Sequence, residues 1–128
     1  MTCVVRSTTR MLVACSSDTV EAYDGKADRL LWKVGGKLPG MEKNIQPSCV
    51  DTNNENTVFI CDIGNHCVHH FTFCGYYLGC VIQKGQGIGM PRWIAYENGQ
   101  SGESITILHE DENERLFFNT IRISQPDL

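Results

Sequence analysis

V-F-I-C-D-I-G-N-H-C-V-H-H-F, residues Val58 to Phe71, sets an unbroken apolar run against a polar turn and a second, mixed run. Four apolar residues in succession, instead of alternation with polar ones, mark a strand covered on both faces, as in a sheet stacked between two others. Asp62-Ile63-Gly64-Asn65 reads as the turn that follows it. An aspartate bonds backbone N–H groups just ahead of it, and glycine and asparagine tolerate positive φ. Yet Cys61 to Phe71 also gathers three histidines, two cysteines and an aspartate, so a metal or catalytic site has to be weighed. Side chains alternate along a strand, which puts Cys67, His69 and Phe71 on one face and His66, Val68 and His70 on the other. A zinc site needs about four convergent ligands. Neither face offers more than two, and the rest would have to come from Cys61, Cys74 or Cys80 on neighbouring strands. The segment is therefore read as turn and core, with no metal ligand and no catalytic group assigned.

The same organisation recurs. T-C-V-V at 2–5, S-C-V-D at 48–51 and W-I-A-Y at 93–96 are each followed by a polar stretch and then by an apolar run, at 11–15, 58–61 and 105–108. Leu12, Phe59 and Thr106 are spaced by 47 residues, as are Phe71 and Phe118. A period of that length with short strands separated by Gly, Asp, Asn and Ser predicts an all-β chain of repeated antiparallel sheets. Four-stranded sheets stacked at a period of 40–50 residues describe a β-propeller. The expected units run from about 2 to 46, 47 to 91 and 92 to 128, the third incomplete, within a single region covering 1–128.

At 128 residues the chain is at most one ordinary domain, and its 41% hydrophobic and 20% charged content is that of a globular protein. A formal charge of -4 argues against a dedicated nucleic-acid or membrane-surface binder. No apolar run approaches the roughly 20 residues that span a bilayer, and Met1 to Cys15 holds no signal-peptide core. The expectation is a cytoplasmic protein with no membrane contact, in which the seven cysteines are reduced thiols, most of them small buried hydrophobes.

The middle unit resembles an NHL repeat, whose pattern runs Asp-x-Gly-Asn-His-Arg-[Ile/Val]-x-x-Phe, a glycine turn, a glycine-rich loop and Pro-x-x-[Ile/Val]-Ala. Asp62, Gly64, Asn65, His66, Val68, Phe71, Gly75, Gly85, Pro91, Ile94 and Ala95 fall on it in order. In the first unit Val20, Tyr23, Gly35, Gly36, Pro47 and Val50 fit, with one turn residue missing; the third keeps only hydrophobic spacing. Cys67 stands where the family has arginine. The resemblance implies a propeller, commonly of six blades, of the kind that ends tripartite-motif ubiquitin ligases and translational repressors. It assigns His66 the place of a structural histidine, and Asp62, Gly64, Asn65, Val68, Phe71 and Pro91 structural places in the motif. No paired Cys/His spacing of a RING or B-box occurs in the 128 residues.

Other motifs yield plainer readings. K-G-Q-G-I-G-M-P at 84–91 is glycine-rich, but Pro91 and a strand follow it, where a phosphate loop would open a helix. It reads as a connector. H-E-D-E-N-E at 109–114 lacks the spaced Asp/Asn and glycine of a calcium loop and reads as a solvated turn. The loops between second and third strands and those between blades emerge on one side, carrying Asp18, Asp62, Asn65, His66, Lys37, Lys43, Lys84 and Arg92. Asn65, His66, Lys84, Arg92 and Trp93 are the candidate binding residues, although a buried position is the favoured reading for Trp93. The expected function is a non-catalytic interaction module and scaffold for a protein partner, the recognition part of a ubiquitin-ligase-like protein, with no cofactor. One alternative is an RNA-binding propeller that takes single-stranded RNA in post-transcriptional regulation. Another is a piece of a propeller enzyme such as an amidating lyase. A six-bladed ring needs about 280 residues at this period, so either a longer chain or a homodimer would complete it.

Overall fold

The computed structural model describes residues 3–6, 11–26, 29–53, 55–100 and 102–123. Segment 7–10, in the first unit's polar stretch, and 124–128, the end of the third unit, lie outside them, as do residues 1 and 2. Among the described residues all regular structure is strand. Strands β1 (Cys3–Arg6), β2 (Met11–Cys15), β3 (Thr19–Asp24) and β4 (Arg29–Gly35) form one antiparallel meander. A second comprises β5 (Pro47–Thr52), β6 (Thr57–Asp62), β7 (Cys67–Thr72) and β8 (Tyr77–Ile82). The third has three strands, β9 (Met90–Gly99), β10 (Gly102–Glu110) and β11 (Leu116–Arg122). The chain is thus all-β, with the third sheet the short one. Among the described residues no helix is long and apolar enough to cross a membrane.

The apolar run at 58–61 does what its composition requires. Val58 and Ile60 join Met11, Val13, Val20 and Ala22 of the first sheet in one core. Phe59, Cys61 and Val68 join Ile94, Ile105 and Ile107 of the third sheet in another. All of β6 from Val58 to Asp62 is buried because the middle sheet is covered on both faces. Trp32 seals the first core at its rim. Its ring stacks on Phe71 at a centroid distance of 5.9 Å, and its Nε1–H donates to the Phe73 carbonyl at 2.8 Å. Gly75 permits this approach: it has a φ of 94°, and a Cβ there would stand 2.9 Å from the indole.

Register corrects two details of the sequence reading. Leu12 is not the counterpart of Phe59. Met11, Val13 and Cys15 face the second sheet, so alternation points Leu12 the other way. Val13 occupies the place of Phe59, each facing the sheet that follows. The hairpin that follows is also shorter: Cys15 pairs with Val20, whereas Cys61 pairs with Val68, so four residues close it against six. Likewise Phe118 is not the counterpart of Phe71. The longer turn at 110–116, against 63–66 in the middle sheet, displaces β11 by an odd number of residues and reverses its faces. Phe71 is 2% exposed, Phe118 73%, and Phe118 corresponds instead to Val68.

With these shifts the three sheets stack in one sense. In the second sheet Cys49, Cys61 and Val68 form a row across three strands, and the third sheet covers it. The equivalent row in the third sheet is Trp93, Leu108 and Phe118. Among the described residues nothing covers it: Trp93 is 57% exposed.

Candidate functional site

The turn after β6 is organised by one buried carboxylate. Asp62 Oδ1 accepts N–H bonds from Gly64 at 2.9 Å, Asn65 at 3.2 Å and, across the connecting loop, Gln46 at 3.1 Å. Its Oδ2 accepts from Asn65 Nδ2 and His69 Nε2, both at 2.8 Å. The side chains of Asp62 and His69 are wholly excluded from solvent. Burial alone pushes the Asp62 carboxyl upward, but the bonds from His69, Asn65 and Gln46 outweigh it and hold the group below its usual range. The expectation that Asp62 bonds the N–H groups ahead of it holds, and the bonds to Gln46 and His69 extend it.

The positive φ expected at Gly64 and Asn65 is found at neither. Gly64 is needed for space, because a Cβ would come 3.0 Å from the Asn44 carbonyl oxygen and 3.3 Å from Asp62 Oδ1. The positive φ of the turn falls on His66, at 53°. His66 is half-buried at the loop surface, and the histidine built into the interior is His69. Asn65 is consumed in construction: its amide accepts from Lys43 N–H and donates to the Lys43 carbonyl, both at 3.1 Å. It clasps the 36–46 connector to the turn.

This clasp shapes a cleft of about 200 Å³ lined by Met41, Lys43, Asn65, His66, Cys67 and Lys84 among others. Beside it, sharing His66 and Lys84, lies a wider cleft bounded by Ile88, Met90 and the acidic turn 110–113. Asn65, His66 and Lys84 therefore meet at one site. Arg92 and Trp93 do not join them. They border a separate cleft with Ser17, Gln46 and Pro47, where Arg92 Nη2 pairs with Glu110 Oε1 at 3.0 Å. Trp93 is exposed and not a core residue, because Ile94 and Tyr96 take the buried face of β9. The 83–89 segment turns, with Gln83 N–H bonded to Gln86 Oε1 at 2.8 Å, and leads into β9. The acidic turn closes on Asp111 Oδ1, which accepts N–H bonds from Asn113 at 2.8 Å and Arg115 at 2.9 Å.

Behind the cleft the histidine continues inward. His69 Nδ1 meets the Tyr77 hydroxyl at 2.9 Å, and the thiols of Cys67 and Cys80 flank the ring. Burial, reinforced by the neighbouring Cys80 and Asp62, pushes the Cys67 thiol up, and burial together with Cys80 does the same to Tyr77. Cys80 was one of three neighbouring-strand cysteines that the sequence offered, and Tyr77 was not foreseen. Their approach depends on the irregular β7–β8 register, in which Cys80 pairs with His69 and Tyr77 with Phe71. Cys15, Cys49, Cys61, Cys67, Cys74 and Cys80 are unbridged, the first four of them buried. No family model and no curated protein matches this chain.

Replacing Asp62 with alanine strands His69 and the three amides in a dry site. A buried donor left without its acceptor costs about 1–3 kcal/mol. Urea unfolding of Asp62→Ala is expected to show a loss of that size; a change below about 1 kcal/mol contradicts the hub assignment.

Proposed function

We propose that this chain is a stretch of an NHL-type β-propeller acting as a non-catalytic protein-interaction module. The Trp93–Leu108–Phe118 row carries the reading. Its residues stand where Cys49, Cys61 and Val68 stand in the sheet before, and those three are covered by a successor. An exposed apolar row at the receiving position of the last sheet marks a stack that continues, and sheets stacked in one sense at this period build a propeller. The row is where the next sheet of the ring docks. The resemblance of Asp62, Gly64, Asn65, Val68, Phe71 and Pro91 to the NHL motif supports the same conclusion.

Recognition then falls to the loops. Rigid sheets hold Lys43, His66 and Lys84 around a cleft bordered by Glu42, Glu110 and Glu112, and loops on a fixed scaffold are the usual place for binding. Interspersed charges of both signs suit a protein surface of complementary pattern. The carboxylates repel a phosphate backbone, which places single-stranded RNA second. By the NHL resemblance, such a module serves as the recognition part of a ubiquitin-ligase-like protein.

Two outcomes check the reading. In light scattering under reducing conditions, the chain is expected to associate through the bare row into multiples of 14.4 kDa, and Phe118→Asp to run as the single chain. A monodisperse wild-type species at the single-chain mass contradicts the docking row. With the chain as bait, proteins retained by the wild type and lost with Lys84→Glu, insensitive to ribonuclease, are expected. Retention that ribonuclease abolishes would transfer the reading to RNA, and identical retention by both baits would overturn the cleft as the recognition site.

A further inference from the structure

The middle sheet holds a soft-donor cluster that the proposed recognition role does not use. Ligand atoms of Cys67, His69 and Cys80 all lie within 4.8 Å of one another. Cys67 and His69 share a face of β7, and the β7–β8 register sets Cys80 directly across from His69. Cys67 and His69 are buried and Cys80 is half-buried.

The imidazole is oriented as a ligand. Its Nε2 lies 2.8 Å from Asp62 Oδ2; a carboxylate only accepts, so Nε2 carries a proton, and in the neutral imidazole Nδ1 keeps its lone pair. Nδ1 lies 3.8 Å from Cys80 Sγ and 3.9 Å from Cys67 Sγ, whose nearer ring nitrogen is Nε2 at 3.4 Å. Zinc bonds of about 2.3 Å to sulfur and about 2.0–2.1 Å to nitrogen, at a tetrahedral angle, set sulfur–nitrogen separations of roughly 3.5 Å. Each sulfur–nitrogen separation needs to contract by only a few tenths of an ångström, and the two sulfurs, within 4.8 Å of each other, must close to roughly 3.8 Å. A carboxylate hydrogen-bonded to the far nitrogen of a histidine is the outer support that metal-ligating histidines characteristically have. Asp62 is therefore a second observation, independent of the thiols, that points to an ion.

We propose that Cys67 Sγ, Cys80 Sγ and His69 Nδ1 form a binding site for a thiophilic divalent cation of the zinc class, with Asp62 as the positioning residue. The Tyr77 hydroxyl oxygen, 2.9 Å from Nδ1 and 3.6 Å from Cys80 Sγ, stands at the remaining corner. Binding replaces two S–H bonds by two metal–sulfur bonds and releases both thiol protons to solvent. It also turns the Tyr77 hydroxyl away from Nδ1, whose lone pair passes to the ion. The consequence is structural: the ion ties β8 to β7 and, through Asp62, to the turn and connector behind the recognition cleft. The site stands whether or not the stack continues as a propeller, so its test is independent of that reading.

Cobalt(II) titration of the reduced, metal-free full chain tests it, because cobalt reports ligand type by colour. One ion per chain is expected, with thiolate-to-cobalt charge transfer, strong tetrahedral bands, bleaching by added zinc, and release of both thiol protons. Cys80→Ser is expected to lose the charge-transfer intensity of one thiolate and at least about 100-fold in affinity. Asp62→Asn is expected to weaken binding about 10–100-fold while the tetrahedral spectrum persists. Cys74→Ser, at an exposed thiol, should change nothing. A wild-type spectrum without a thiolate band overturns the proposal, as does unchanged affinity in Cys80→Ser or lost binding in Cys74→Ser. The wild-type spectrum decides even if a variant fails to fold.

Discussion

The architecture around the candidate site hangs on one carboxylate. Asp62 sits at the end of a strand buried on both faces, where an unpartnered charge would be strongly unfavourable. Five hydrogen bonds converge on its two oxygens from a turn, a connecting loop and a neighbouring strand. Each of those groups would be buried or strained without it. The carboxylate thus converts a chain reversal into a rigid junction, and the loop face inherits its shape from that junction.

The device recurs in altered form. His109, 47 residues after Asp62, is the penultimate residue of β10 and is 5% exposed. Its Nδ1 accepts the N–H of Gly89 at 3.0 Å, and its Nε2 lies 2.6 Å from Asn119 Oδ1. Gln46 and Gly89 each immediately precede the first strand of their own sheet. In both sheets, then, a polar residue at the end of the second strand anchors the incoming chain and is itself held by the third strand. The first sheet has a shorter hairpin, and Ser16 and Thr19 close it with their own hydroxyls at 2.9 Å. The repeat is conserved as a mechanical role more than as a residue pattern.

This explains what the sequence made legible. The all-β class, the strand positions and the two-faced burial of 58–61 follow from local pattern, and the structure has them. The turn at Asp62 was readable because an aspartate two residues before a glycine has few other uses. Facing was not readable where spacing changes by an odd number: Val13 and Phe59 lie 46 residues apart and not 47, and the turn after His109 is three residues longer than the turn after Asp62, so equal spacing misassigned Leu12 and Phe118. The approach of Cys80 and Tyr77 to His69 was hidden for a related reason, since it arises from bulges in the β7–β8 ladder. Trp93 looked like a core residue because aromatic residues in strands usually are; only knowing which face of β9 meets the core decides it.

Amide hydrogen exchange at Gln46, Gly64 and Asn65 tests the central role of Asp62 most directly. All three N–H groups lie in turn or connector, where exchange is ordinarily fast, yet each ends on a carboxylate that solvent does not reach. The account predicts protection comparable to that of the β6 and β7 ladder, with all three opening together. Exchange at the rate of free loops, or at three unrelated rates, would contradict it.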